Sequence, residues 1–209
     1  LGYLAEGART NLCLQSQTFD NASWTNTNVT VTANAVAAPD GTTTADLLYP
    51  ASSGTDADRR TLQAVTSTAT AHTVSFYLKY AGFRWIMVSN TDAGAANDKN
   101  WFDVQNGVVG TIGAGTTSMS AVSVGNGWYR VSVTATNAST NCYAWISCVD
   151  GDGSSTVTAS GTNGVYAWGA QVELGSFASS YIPTTTAAVT RNADVLTYSS
   201  AGNISGTAG

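Results

Sequence analysis

GVYAWGAQVELGSFASSYIPT, residues 164–184, is the stretch that most clearly indicates how this chain folds. Its first half, Val165–Leu174, predicts one long strand, because small residues alternate there with Tyr166 and Trp168. A Gly-Ser turn and a Tyr-Ile-Pro exit follow. If the residues of this strand alternate regularly between its two faces, the face that carries Tyr166, Trp168 and Val172 is expected to pack in the core. The opposite, small-residue face then ends in two polar side chains.

The composition favours strands over helices. Only 10% of the 209 residues are charged, against roughly 25% in an average globular domain, and surface helices need charged residues on their solvent face. The hydrophobic share of 43% is enough to form a core. About a dozen short runs of alternating apolar residues, separated by Gly and Asn turns, predict an all-β, antiparallel β-sandwich (jelly roll) with two sheets and essentially no helix. Hairpin turns are expected at Asn106-Gly107 and at residues 125–127.

The charge and the ends of the chain restrict its partners. The net charge of −5 argues against nucleic-acid binding through a basic surface. No apolar run approaches the roughly 18 residues of a spanning helix, so we expect no membrane insertion. We predict a single domain over residues 1–198, with residues 199–209 as a flexible tail or linker. The chain starts at Leu1 without a signal peptide, so we expect it to be linked to other domains of a longer protein.

Cysteine and histidine usage excludes several kinds of site. Cys142 and Cys148 are six residues apart on one predicted strand, about 20 Å, too far to pair without a turn between them. Cys13 could pair with one of them, but the odd count favours buried thiols. The single histidine, His72, excludes ordinary histidine-based zinc sites and argues against a Ser-His-Asp triad.

Four segments carry a family resemblance. They are EGARTNLCLQSQTFDNASW (6–24), APDGTTTAD (38–46), GNGWYRVSVT (125–134) and YAWGAQVELGSFASSYIPT (166–184). Together they resemble a domain of phage tail and virion-associated proteins that is treated as a carbohydrate-binding module with a concanavalin-like jelly roll, similar in design to family 4, 9 and 22 modules. The resemblance implies a sandwich that binds polysaccharide without cleaving it, with a virion-associated or extracellular location. It implies no individual ligand contacts.

The strand alternation itself predicts a binding face. Aromatic rings stack on the C–H faces of sugars, while amides, carboxylates and guanidinium groups bind their hydroxyls. The side chains expected on one such face are Tyr77, Trp85, Arg130, Tyr143, Trp145, Gln171 and Glu173. The alternative is that these aromatics form a second apolar layer. We expect Trp24 and Trp168 in the core, Trp128 as an anchor at a strand start, and Trp101 at the rim of a groove.

Metal binding and catalysis have weaker signals. No cofactor is required by this interpretation. Related modules, however, often hold a structural Ca²⁺, which binds oxygen ligands. The available ligands are Asp20, Asp40, Asp46, Glu173 and the Asp150-Gly151-Asp152-Gly153 turn. That turn lacks the full ligand spacing and the closing Glu of a calcium loop. A glycosidase needs two carboxylates across a groove, and Asp103 with Glu173 is the candidate pair.

The sequence therefore predicts a non-catalytic module that binds polysaccharide or a cell-surface glycan. The alternatives are a structural or assembly domain of a virion protein and, with less support, a glycoside hydrolase or polysaccharide lyase. The placement of Trp85 and Trp145 distinguishes the sugar-binding module from the structural domain. Burial of these side chains beneath loops or at a subunit contact favours the structural domain, and exposure in a groove favours sugar binding. Glu6 and Arg9 are expected to form a local pair or a clasp between the N-terminal segment and the sandwich.

Overall fold

The chain forms antiparallel strands almost throughout the part that the computed structural model describes, residues 5–68, 70–90, 98–136 and 141–195. The predicted tail, residues 199–209, lies outside the described residues. The strands are β1 (Arg9–Asn11), β2 (Thr25–Thr27), β3 (Val29–Val36), β4 (Ala45–Pro50), β5 (Gly54–Thr55), β6 (Arg60–Thr66), β7 (Ala71–Ala81), β8 (Trp85–Ser89), β9 (Asn100–Asp103), β10 (Val108–Val109), β11 (Thr116–Gly125), β12 (Trp128–Thr136), β13 (Asn141–Val149), β14 (Thr156–Val157), β15 (Gly164–Leu174) and β16 (Val189–Arg191). A 3-10 turn spans Asp56–Asp58.

Two six-stranded sheets form the body of the molecule. Sheet I has the strand order β11-β12-β7-β15-β4-β3, and sheet II has the order β10-β9-β8-β13-β6-β2. Two small ribbons, β1-β16 and β5-β14, complete the structure. The pairings within both sheets are antiparallel, so the predicted two-sheet sandwich is confirmed. The hairpins predicted at residues 106–107 and 125–127 connect β9 to β10 and β11 to β12.

The core lies between the sheets. Alternate residues of β7, Val74, Phe76 and Leu78, are fully buried on the inner face of sheet I, and Ile86 and Ala144 are buried on sheet II. The three cysteines are buried free thiols, as expected. Burial raises the pKa of the Cys142 thiol to about 12, which keeps it protonated and unreactive at neutral pH. None of the described residues forms a helix long and apolar enough to cross a membrane.

A β-bulge divides β15 and changes which face its residues occupy. Trp168 lies opposite Tyr77 on β7, but Gln171, three residues later, lies opposite Ser75, only two residues along. The extra residue is accommodated at Gly169, whose φ of +61° is in the left-handed region. Before the bulge Val165 and Ala167 face the core, and after it Ala170 and Val172 do so.

The bulge corrects the prediction for the long strand. Tyr166 and Trp168 do not face the core between the sheets but lie on the outer face of sheet I. There Trp168 packs in a second apolar cluster with Trp128 and Ala45, against Tyr77 and Tyr181. Trp168 is therefore buried, as predicted, but in a different layer. Trp24 is in the main core, as predicted.

The N-terminal segment occupies the edge of β15 beyond the bulge. β4 pairs with residues 165–167 of β15. Beyond them, the Leu12 amide donates to the Val172 carbonyl, and the Ala170 amide donates to the Ser16 carbonyl, each at 2.8 Å. Because this exchange of partners occurs at Gly169, the bulge marks the point where β15 passes from β4 to the N-terminal segment.

Candidate functional site

The seven side chains predicted to form one binding face lie on two different sheets. Those on the outer face of sheet I are Tyr77, Arg130, Gln171 and Glu173; those on sheet II are Trp85, Tyr143 and Trp145. On β7 and β12 the apolar residues expected to face the core, among them Phe76 and Val131, are fully buried there. Which strands are neighbours in a sheet depends on long-range pairing, which alternation does not encode, and the prediction of one shared face was therefore wrong.

Trp145 is buried, with only 1% of its surface exposed. Its indole Nε1 donates to Ser147 Oγ at 2.8 Å, and Ser147 Oγ donates to the Asp56 carbonyl of the 3-10 turn. The Lys99 ammonium lies 5.9 Å from the Trp145 ring and pairs with Asp56 at 2.7 Å. The loop that carries the 3-10 turn thus covers Trp145, which cannot stack on a sugar.

The other aromatics of sheet II are also used in packing. Trp85 is half-buried, and a Cβ on Gly110 would lie only 2.6 Å from its ring, so the chain at Gly110 passes directly over it. Tyr143 is half-buried against the main core. Trp101, expected at a rim, is buried, and its Nε1 donates to the Ser154 carbonyl at 2.8 Å.

Gln171 and Glu173 are fully buried and hold a loop rather than a ligand. Glu173 Oε1 accepts from Gln171 Nε2 and from the Ser179 amide, both at 2.8 Å, and its Oε2 accepts from Ser179 Oγ at 2.7 Å. Gln171 Oε1 accepts from the Ile182 amide at 2.8 Å. These bonds attach residues 175–182, here called the cover loop, to the outer face of sheet I.

An open groove lies beside the cover loop on the same face. It has a volume of about 410 Å³ and contains the two remaining predicted residues, Tyr77 and Arg130. It is lined by Tyr77, Ser118, Ser120, Val122, Val124, Arg130, Ser132, Thr134, Ser176, Phe177 and Ala178. We call this feature the sheet I groove.

The floor of the groove is a grid of hydroxyl groups. Ser120 lies opposite Ser132, and their hydroxyl oxygens are 2.8 Å apart. Thr134 lies opposite Thr73, with hydroxyl oxygens 2.7 Å apart, and Thr73 Oγ1 donates to the Gly175 carbonyl of the cover loop. The row of hydroxyls follows from the polar positions of strands whose other face is apolar.

Arg130 occupies one end of this floor in a fixed position. Its Nη2 donates to Ser75 Oγ at 3.1 Å, and its guanidinium lies 5.4 Å from the centre of the Tyr77 ring. Tyr77 is itself packed edge-on against Trp168, with ring centres 5.2 Å apart. The two residues therefore support each other and are pre-organised.

Phe177 also lines the groove and was not predicted as a site residue. Its side chain is 58% exposed, and the Arg9 guanidinium lies 4.9 Å from its ring centre. Phe177 lies in the turn after β15, where no alternation applies. The only signal in the sequence is a large aromatic residue within the small-residue run GSFASS.

The carboxylates proposed for metal binding or catalysis do not come together. Among the described residues, no group of three or more His, Cys, Asp or Glu side chains is arranged to hold a metal ion. Asp103 lies on sheet II and binds Arg84, whereas Glu173 lies on sheet I, so this pair does not flank a common groove. Burial alone would raise the pKa of Asp103, but the hydrogen bonds from Arg84 and Asn106 hold it below its ordinary value.

The clasp predicted for the N-terminal segment has different partners. Glu6 pairs with Arg191 and accepts the Ser180 amide at 2.9 Å, whereas Arg9 lies 3.6 Å from Glu173. The hydrogen bond from Ser180, with the neighbouring Arg191, lowers the pKa of Glu6. The two residues do tie the segment to the sandwich, but not through each other.

Comparison with known proteins gives a similarity in structure but none in sequence family. No protein-family model matches the chain, and no curated protein matches it. The fold is similar to the enzymatically active domain of tailspike protein 4 from bacteriophage CBA120, with a TM-score of 0.37 and 16% sequence identity. The match covers 76% of this chain and 20% of that chain, so the present chain spans one fifth of the structure it matches.

This comparison corrects one prediction. The chain was expected not to be an enzyme, but the matched tailspike domain is described as enzymatically active. The similarity identifies no catalytic residue in this chain and says nothing about a substrate.

Proposed function

We propose that the chain binds a glycan in the sheet I groove and that it does so as part of a phage or phage-like virion protein. The observation that carries the proposal is the combination, in one open groove, of the exposed Phe177 ring with a floor of serine and threonine hydroxyls. An aromatic face for stacking beside hydroxyl donors and acceptors suits the amphipathic surface of a sugar ring. The virion context rests on the resemblance of four sequence segments to phage tail domains.

The groove has the properties of a shallow, pre-formed site. Arg130 and Tyr77 are held by their own contacts before any ligand arrives. The cover loop, which carries Phe177, is attached through the buried Glu173 and its two bonds to Ser179. Binding therefore requires little ordering of the protein, which lowers the entropic cost for a weak ligand.

A second candidate function is supported by the burial of Trp145. This residue and the half-buried Trp85 were the aromatics whose exposure favoured sugar binding, and both are covered by loops of the same chain. That placement favours a structural or assembly domain of a virion protein, with no glycan ligand. The two candidates differ in whether the exposed sheet I groove is used.

Phe177→Ala tests the proposal. Loss of the stacking ring is expected to weaken retention on a glycan affinity gel about tenfold, which corresponds to about 1.4 kcal/mol. Ile112→Ala is the matched control, because Ile112 is 46% exposed but does not line the groove. The same incubations are assayed for new reducing ends and unsaturated products.

The outcomes separate the candidate functions. Retention of the wild type and of Ile112→Ala, with loss in Phe177→Ala, supports binding in the groove. Retention that is equal in all three proteins places the site elsewhere. No retention on any polysaccharide of the panel favours the assembly domain, and cleavage products from the wild type make the chain an enzyme.

A further inference from the structure

The charge distribution of the sheet I groove specifies the class of glycan more narrowly. Of the described residues that line the groove, Arg130 is the only one that carries a charge. The chain as a whole has 13 acidic and 8 basic residues and is therefore negatively charged. The groove, with one cationic and no acidic side chain, has a net charge of the opposite sign. The groove is therefore locally attractive to an anion.

Arg130 is not neutralised by a carboxylate of the described part of the chain. The ion pairs there join Arg9, Arg59, Arg84, Lys99 and Arg191 to carboxylates. The hydrogen bond that Arg130 makes is to a neutral hydroxyl, Ser75 Oγ. Its positive charge therefore remains available on the groove side.

The geometry around Arg130 suits a planar anion. The guanidinium lies 5.4 Å from the centre of the Tyr77 ring and donates to Ser75 Oγ at 3.1 Å, two contacts that hold its position. A fixed guanidinium fork matches the two oxygens of a carboxylate, and such charge-assisted hydrogen bonds are stronger than neutral ones. Ser132, next along β12 on the same face, offers a hydroxyl for a neighbouring sugar oxygen.

We propose that the groove selects an acidic sugar, in which Arg130 binds the carboxylate of one sugar unit while Phe177 and the serine and threonine floor bind the rest of the chain. This inference rests on the proposed function and deepens it. Since the protein is acidic overall, recognition depends on this one local contact and not on a broad positive field. Binding should accordingly weaken as the salt concentration rises.

The test compares acidic polysaccharides with the same polymers after reduction of their carboxyl groups. The probes are alginate, polygalacturonate, hyaluronan and polysialic acid, each with its carboxyl-reduced counterpart, together with neutral dextran, mannan and galactan. The proteins are the wild type, Arg130→Gln, Arg130→Lys and Lys79→Gln. Lys79 lies on the same strand face as Tyr77 but outside the groove, so its substitution removes the same charge elsewhere.

The expected result is binding of at least one acidic polymer by the wild type, weakened about tenfold or more by carboxyl reduction. Arg130→Gln should lose that difference, Arg130→Lys should keep part of it, and Lys79→Gln should keep it in full. Because the comparison of native and reduced polymer uses the wild type alone, it decides whether binding depends on the carboxylate even where a variant folds poorly, and Arg130→Lys, the more conservative variant, then reports on Arg130.

Three results would overturn the inference, and they are distinguishable. Equal binding of native and reduced polymers, or binding of neutral polymers only, removes the acidic sugar but leaves glycan binding intact. Carboxyl-dependent binding that Arg130→Gln retains assigns the carboxylate to another site. Binding of no polymer in the panel overturns the proposed function as well.

Discussion

His72 is a buried titratable side chain on the inner face of β7, at 0% exposure. Its Nε2 is 2.8 Å from Ser67 Oγ. Burial lowers the pKa of His72 below its ordinary value of 6.5, although a backbone hydrogen bond to Thr70 acts in the opposite direction. The neutral form is thus the one that the fold accommodates.

A loss of stability in mild acid follows from this pKa. The unfolded chain takes up a proton near pH 6.5, whereas folded His72 does so only at lower pH, so the free energy of unfolding should fall as pH drops from 7 towards 5. Urea unfolding at half-unit pH steps measures this slope. His72→Gln should be less stable at pH 7 but should lack the His72 contribution to the slope.

The comparison of the two proteins removes the effect of other titrating groups. Burial, for example, raises the pKa of Asp46, although hydrogen bonds from the backbone amides of Asn34 and Phe19 act to lower it. Asp46 therefore contributes a slope of the opposite sign to the dependence of the unfolding free energy on pH. Because Asp46 is present in both proteins, its contribution cancels in the difference. A wild-type slope that His72→Gln retains in full would show that His72 titrates normally in the folded protein.

At the scale of the element, the bulge in β15 decides what each face of the strand presents. Gly169 has a φ of +61°, and a Cβ at this position would lie 2.8 Å from Cδ2 of Tyr77. The position therefore requires glycine for two reasons, backbone conformation and space. The Tyr77 ring cannot easily yield, because it packs against Trp168 and Arg130.

Gly169→Ala should therefore cost more stability than alanine at another left-handed glycine. Gly41 has a φ of +88°, and a Cβ added there would meet no other atom within 4 Å, so Gly41→Ala is expected to cost about 1 kcal/mol from backbone strain alone. Gly169→Ala adds the steric conflict, for a total of about 2–4 kcal/mol. Denaturant midpoints of both variants give the comparison, and equal losses would mean that the Tyr77 ring moves aside freely.

The same bulge shows what a sequence can predict about this strand. The alternation in GVYAWGAQVEL correctly indicates a strand and its two chemically different faces. It does not reveal that Gly169 adds an extra residue, because glycine is compatible both with a regular strand and with a bulge. Tyr166 and Trp168, predicted on the core face, consequently lie on the outer face, whereas Val172, predicted on the same face, does lie in the core.

The candidate site was predictable only where it lies on regular strands. Tyr77 and Arg130 follow from the polar faces of β7 and β12 and do line the groove. Phe177 lies in an irregular loop, and Trp145 is covered by a loop distant in sequence, so neither position follows from a local pattern. Local alternation gives the direction of a side chain, whereas exposure depends on which loop folds over it.

At the scale of the whole molecule, the two ends of the described chain are joined over β15. β1 pairs with β16, and the N-terminal segment pairs with β15 beyond the bulge. The cover loop, which carries Phe177, lies on the outer face of the same strand, attached through Gln171 and Glu173. The N-terminal segment therefore contributes to the support of the groove wall through Arg9, which lies against Phe177.

Asn11 is the residue where these segments meet. Its side chain is fully buried, and its Nδ2 donates to the Ala170 carbonyl at 3.0 Å and to the Ile182 carbonyl at 2.8 Å. Its Oδ1 accepts from the amides of Cys13 and Val172, at 3.0 and 3.1 Å. One side-chain amide thus satisfies four backbone groups. One belongs to the N-terminal segment itself, two belong to β15 and one to the cover loop, which lie 159 to 171 residues further along the chain.

Asn11→Ala should destabilise the whole sandwich by about 3 kcal/mol or more, because it leaves four buried backbone groups without this partner. Asn21→Ala is the control: its side chain accepts one bond, from the Ser23 amide within the same loop, and its loss should cost about 1 kcal/mol or less. Urea unfolding followed by tryptophan fluorescence measures both. A small loss in Asn11→Ala would mean that water replaces the amide, and the N-terminal segment would then be an appendage of the sandwich instead of one of its structural ties.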